Sequence, residues 1–327
     1  MASNTTNRAG SHARHNKYNV TRFGRDTLSF RVLMLIPLII VLAVVPLIVR
    51  AHVYDTGLQY YDFFSNETEK VDFFLYCKMI IFIVVSAVLA CIIIARLIVE
   101  KKNIKFSKIF IPLGIYALLA LLSSIFSKHQ PYPWTGSFEQ FESVFALLGY
   151  VIVAYYAFLF VNDKQDILIL ITALAISTFI MILLGVSQAF FRDFFNSQLG
   201  YNLIIPARLR EYMPRDEISF TFGEGRVYLT LYNPNYVGSY VALLSPLFLM
   251  MTFASKHISV KLAYGVMYIG LLWALFGSGS RAGFIGIGFS LLLLVVLFAR
   301  RKLSFWIPLT GIVIVSLAAF SFYLKKT

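Results

Sequence analysis

Residues 277–288 read GSGSRAGFIGIG, and their reading decides how often the chain crosses a membrane. They sit in a 38-residue stretch, Leu262 to Ala299, whose only charge is Arg281. As one helix this stretch would be about 57 Å long at 1.5 Å per residue, roughly twice the ~30 Å hydrocarbon core of a bilayer. It therefore reads as two spans. The break falls at Gly277–Ser280, which puts Arg281 in a tight turn at a membrane face and not at the centre of the bilayer.

The rest of the chain has the same character. Of 327 residues, 59% are hydrophobic and 14% charged, with a mean hydropathy of +0.75; a soluble domain carries about 25% charged residues. Apolar runs of spanning length recur at approximately 32–49, 76–98, 109–126, 143–161, 167–187, 237–254, 262–278, 282–299 and 303–323. The expected fold class is all-α, a polytopic transmembrane helix bundle of about nine spans. No small-residue cleavage site follows the first apolar run, so it reads as an uncleaved span.

Charge orients the bundle. With the N-terminus in the cytoplasm, 17 of the 29 basic residues and four of the 16 acidic ones fall inside, a net +13. The outer segments then hold 12 of each and net zero, as the positive-inside bias requires. This arrangement predicts a basic cytoplasmic tail over 1–31 and a transmembrane domain over 32–327. The segments 50–75, 127–142 and 188–236, Arg281 and the C-terminus are expected outside. The basicity reports topology and contact with anionic membrane lipid; it does not imply nucleic acid.

The external loop 188–236 carries most of the chemical content. It gathers Arg192, Arg208, Arg210, Arg215 and Arg226, eleven aromatic residues including Tyr232, and Asn233-Pro234-Asn235 at the head of the sixth span. Guanidinium forks suit phosphate oxygens, aromatic faces suit sugar rings, and carboxamides at a helix start suit hydroxyl or phosphate groups. Together they describe a site for a phosphorylated, sugar-bearing amphiphile at the membrane surface. Each feature also has a plainer use. Loop aromatics anchor proteins at the interface, Arg192 and Arg208 at span ends can contact lipid head groups, and Asn233-Pro234-Asn235 can form a turn and cap. Arg281 could itself be a snorkelling anchor, although a charge wedged between two spans points to function.

Other signals lead nowhere. Gly277, Gly279 and Ala282 match a dinucleotide fingerprint, but no strand precedes them. Gly279 and Gly283 have helix-packing spacing yet straddle the turn. Cys77 and Cys91 lie on one helix, about 21 Å apart, too far to pair. Neither the cysteines nor the five histidines (His12, His15, His52, His129 and His257) form a metal-ligand cluster, so no metal and no cofactor is expected.

Ser280-Arg281-Ala282-Gly283 at a span start, preceded two spans earlier by Tyr232-Asn233-Pro234-Asn235 at the head of a helix, resembles the O-antigen ligase and polysaccharide polymerase family (Wzy-C type). Trp134–Glu142, WTGSFEQFE, is similar to a further external segment of its polymerase and protein-glycosylating members. The resemblance covers roughly residues 109–300. It implies a metal-independent, inverting transfer of a glycan from a polyprenyl (undecaprenyl) diphosphate carrier to an acceptor glycan or lipid, at the outer face of the bacterial cytoplasmic membrane. By the same resemblance Arg281 and Arg226 are the catalytic cations; Tyr232, Asn233, Asn235 and Ser280 of the matching motifs, with Arg208 and Arg210 of the external loop, are the candidate substrate contacts. Family members continue into a large external loop with a histidine and a further arginine. This chain ends at Thr327, so it is expected to be a fragment or incomplete homologue, without turnover on its own. The competing class is a lipid-glycan flippase or other multi-span transporter, which would place ionisable residues near the bilayer midplane. Only Lys78 and Arg96 fall inside the other spans, each near an end.

Overall fold

A computed structural model describes residues 28–56, 69–100, 106–137, 140–190, 193–218, 220 and 226–298. The tail before Leu28, Arg192 and the expected ninth span, 303–323, lie outside the described residues. Ten α-helices account for most of what is described. Helix α1, Leu28–Ile39, continues through a π-helical turn, Ile40–Val44, and a 3-10 turn, Val45–Leu47. The other long helices are α2, Tyr76–Glu100; α3, Phe110–Ile125; α5, Val144–Phe160; α6, Lys164–Ala189; α8, Pro234–Ala254; α9, Ile258–Ser278; and α10, Arg281–Phe298. The short helices α4, Tyr132–Thr135, and α7, Gln198–Ile204, lie between them.

Five of these helices are long and apolar enough to cross a membrane: Phe30–Leu47, Tyr76–Val99, Lys164–Ala189, Pro234–Ala254 and Ile258–Ser278. Phe110–Ile125, Val144–Phe160 and Arg281–Leu294 are shorter apolar helices. Their outward faces are greasy, as in α3, where Ile115, Leu118, Leu119 and Ile125 are all exposed. A surface of that kind requires lipid or a partner. The chain is thus an all-α membrane bundle.

Local chemistry explains where the helices begin and end. Ser143 caps α5 by accepting from the Ala146 amide. Asp163 and Asp166 form a capping box at the start of α6, each satisfying an otherwise orphaned amide. Asn233 caps α8, with Pro234 in its first turn where no amide is needed. Helix α9 ends at Gly279, whose φ of +64° is left-handed, the conformation for which glycine carries no Cβ penalty. Only Gly279 and Ser280 separate α9 from α10.

Helices α8 and α10 run parallel and nearly touch. A Cβ on Gly238 would lie 2.3 Å from Ser280 Oγ and 2.9 Å from Gly283 Cα, and one on Gly286 would lie 2.9 Å from Ala242 Cβ. Farther along, Ser290 Oγ donates to the Ala242 carbonyl at 3.0 Å. That carbonyl is available because Pro246, four residues on, has no amide to offer it. Small residues at a helix interface and a hydroxyl crossing it are the usual glue of membrane bundles. Met181, Val241, Phe248, Leu271 and Leu291 fill the core among α6, α8, α9 and α10. A second core, with Leu35, Leu89, Tyr156 and Leu159, joins α1, α2 and α5.

The loops sort cleanly between the two ends of the bundle. At one end Arg31 pairs with Asp166 at 2.7 Å and Asp163 at 3.0 Å, while Arg96 donates to the Leu159 carbonyl and lies over the Phe160 ring. At the other, the loop end, the segments around 50–56, 69–75, 132–141, 193–218 and 226–233 build one layer. Among the described residues its only sheet is an antiparallel pair, β1, His52–Asp55, with β2, Glu69–Asp72, which the sequence reading did not anticipate. The Ala51 amide donates to the Ile204 carbonyl, Tyr132 reaches the Thr56 carbonyl, and Phe74, Phe195, Phe220 and Tyr228 pack ring against ring.

Candidate functional site

The turn at Gly279–Ser280 lies in the loop-end layer, and the residues around it converge there. Arg281 is the first residue of α10 and is exposed. Ser280 is buried; its hydroxyl accepts from the Gly283 amide at 3.2 Å and packs against Gly238 at the start of the second turn of α8. Arg226 arrives from the other side. Its Nε donates to the Ser278 carbonyl at 3.1 Å, and the neighbouring Val227 amide donates to the Gly277 carbonyl at 3.0 Å. Arg226 and Arg281 therefore flank one turn, 52 positions of sequence having closed between Arg226 and Ser278.

Asn233 and Asn235 stand at the start of α8, beside that turn. The Asn233 carboxamide is occupied as the helix cap, accepting from the Asn235 amide at 2.9 Å. Asn235 is exposed. Tyr232 turns the chain into the cap with a left-handed φ of +68°, and its ring lies 6.1 Å from that of Phe74 in the aromatic layer. Arg208 and Arg210 belong to the same layer but to its α7 side. Arg208 is near enough to His52 to be felt electrostatically, and Arg210 donates to the Asn202 and Ile205 carbonyls at the end of α7. Arg215 bonds Gln198.

The electrostatics of the turn are one-sided. Parallel helices place two positive dipole ends together, and neither α8 nor α10 has an acidic residue in its first turn. Arg281 at a helix N-terminus is itself on the unfavourable end of that dipole. Two aligned N-termini with two arginines form a cationic locus suited to an anion. Among the described residues no group of three His, Cys, Asp or Glu residues could hold a metal ion.

Of the polar groups beneath this site, sequence reasoning singled out Lys78 as a charge inside a span and passed over Gln188, Thr230 and Asp193. Buried Gln188, in the last turn of α6, accepts from the Tyr228 and Leu229 amides at 3.1 and 2.8 Å and donates to the Leu229 carbonyl at 2.8 Å. Lys78 donates to the Thr230 carbonyl, and the Thr230 hydroxyl donates to the Pro46 carbonyl at 2.6 Å. Tyr228 donates to Asp193, which also accepts from the Phe195 amide at 3.0 Å. Burial pushes the Asp193 carboxyl above its ordinary value, against the pull of both hydrogen bonds. Burial likewise raises the Tyr228 phenol and the Asp72 carboxyl and lowers the His52 imidazole. The one available signal was a polar side chain closing an otherwise apolar span, as at Gln188.

The class these features define is a helical membrane protein with a cationic turn at its loop end. No protein-family model, curated protein or solved structure matches the chain.

Proposed function

We propose that the loop end binds a polyprenyl-diphosphate-linked glycan and transfers the glycan to an acceptor hydroxyl at the outer face of a bacterial cytoplasmic membrane. In this reading the bundle has about nine spans, with the N-terminus in the cytoplasm and the C-terminus outside. The observation that carries the reading is the cationic turn, where Arg226 and Arg281 flank the adjoining N-termini of α8 and α10 with no carboxylate in either first turn. During transfer the acceptor oxygen bonds to the anomeric carbon, the bond from that carbon to the diphosphate breaks, and the hydroxyl proton passes to a basic group. The departing diphosphate gains negative charge, so fixed guanidinium groups and helix N-termini stabilise the transition state more than the ground state. No metal is needed for that stabilisation. Arg208, Arg210, Tyr232, Asn233, Asn235 and Ser280 complete the substrate-contacting set, with Ser280 and Asn233 acting through the helix starts that they cap.

The test is Arg281→Ala in the whole protein in its native membrane, with the amount of protein in the membrane measured alongside. Losing one preorganised charge should lower glycan polymerisation or ligation by about 10²–10³-fold at unchanged expression. Unchanged surface glycan would overturn the reading. Failure to translocate the carrier, with transfer intact on carrier already outside, would favour a flippase.

A further inference from the structure

Residues 226–230 form an arm that enters the bundle and turns at Leu229 and Thr230, and the arm is anchored by side chains. Val227, Leu229 and Thr230 are fully buried, in a place where unpaired backbone groups are costly. The site of a Cβ on Gly185 of α6 lies 2.6 Å from a Leu229 methyl, and that of Gly277 of α9 lies 2.6 Å from a Val227 methyl. The arm therefore fills a slot between two helices made bare for it. Leu229 has a left-handed φ of +56°, a conformation that persists in a branched residue only when its surroundings hold it. Its amide and its carbonyl are both bonded to one group, the Gln188 carboxamide.

We infer that Gln188 is a positioning residue: its buried carboxamide, bonded to Tyr228 and twice to Leu229, seats the 226–230 arm and so holds Arg226 on the Ser278 carbonyl. The carboxamide oxygen accepts from two consecutive amides and its NH2 donates to the Leu229 carbonyl, so one side chain satisfies three backbone groups of the arm. Removing it strands two amides and a carbonyl in an apolar slot, and the arm lifts. The consequence for glycan transfer rests on the function proposed above; the seating of the arm does not.

Two measurements separate these. With Cys77 and Cys91 changed to Ala, Val227→Cys reports the arm and Ile204→Cys reports the α7 part of the same layer, both buried sites. Each full-length variant is treated with a membrane-impermeant maleimide in open membrane fragments, with and without Gln188→Leu. The expected result is that Gln188→Leu raises the labelling rate at position 227 by roughly tenfold or more and leaves position 204 protected. Unchanged protection at 227 overturns the inference, as does a parallel rise at 204, which would make Gln188 a support of the whole layer. For transfer, Gln188→Leu and Arg226→Ala should each lower product formation, and the double variant should be no worse than Arg226→Ala. Additive losses would show that Gln188 does not act through Arg226. If Arg226→Ala alone transfers normally, the diphosphate reading fails and the labelling result decides the arm by itself.

Discussion

Asp193 shows how a single carboxyl is tuned by the layer that covers it. Burial favours its protonated form, while the Tyr228 hydroxyl and Phe195 amide favour the ionised one, and burial prevails. The folded state thus holds this proton more tightly than the unfolded chain does. Stability is therefore greatest below the ordinary Asp range and declines as pH rises through the window up to the raised value. Asp193→Asn keeps one acceptor oxygen for the Phe195 amide, turns toward Tyr228 an NH2 that can donate to the phenol oxygen, and cannot ionise. We expect its thermal unfolding in detergent to be less pH-dependent as pH rises above the ordinary Asp range, with stability at neutral pH equal to or above that of the parent. A slope unchanged from the parent would refute the assignment to Asp193. Some slope will remain, because burial raises Asp72 in the same direction. Residues of this sort are hard to read in advance. Arg281 declares itself as a lone charge in an apolar stretch, whereas Asp193 sits beside Arg192 and looks like an ordinary loop carboxylate. Gln188 looks like the polar end of a span.

Among the elements, the parallel pair α8 and α10 carries the site, since its contact determines where two helix starts and Arg281 come to rest. Gly238→Ala would push a methyl group into Ser280 Oγ at 2.3 Å, so the helices must part or the cap must shift. We expect a loss of about 1–3 kcal/mol in unfolding free energy, the usual cost of overpacking. Gly114→Ala in α3 and Gly288→Ala in α10, where nothing lies within 4 Å, should be neutral or slightly stabilising. Denaturation in mixed micelles distinguishes the two classes, and equal effects at all three positions would contradict the packing described. The positions of the long helices were legible because apolar length is a strong signal, and the helix break was legible because Gly279 is needed there. The pairing of Gly238 with Gly283 was not, because residues 45 apart leave no local spacing to notice; the conspicuous spacing, Gly279 with Gly283, joins a turn to a helix interior. The strand pair was hidden for another reason. Its strands, HVYD and EKVD, are four residues long, and in the second three of the four residues are charged.

At the scale of the whole molecule, the contacts put Arg31, Arg96 and Asp163–Asp166 at one end and every arginine of the candidate site at the other. If the charge bias orients the bundle as proposed, Arg208→Cys and Asn235→Cys will react with an impermeant maleimide in intact cells, whereas Lys164→Cys will react only after permeabilisation. Both positions at the loop end and Lys164 are exposed, so access alone decides the outcome, and the reverse pattern would invert the topology. The seating of Arg226 also bears on how the protein is made. Its carbonyl partner, Ser278, is 52 residues farther along the chain, so at 5–20 residues per second the ribosome delivers it roughly 3–10 s later. Until then the arm can be held by Gln188 and Lys78, which are already synthesised, but the turn that receives Arg226 does not yet exist. The cationic site is therefore completed only as α9 and α10 enter the membrane, and binding competence is acquired late in translation.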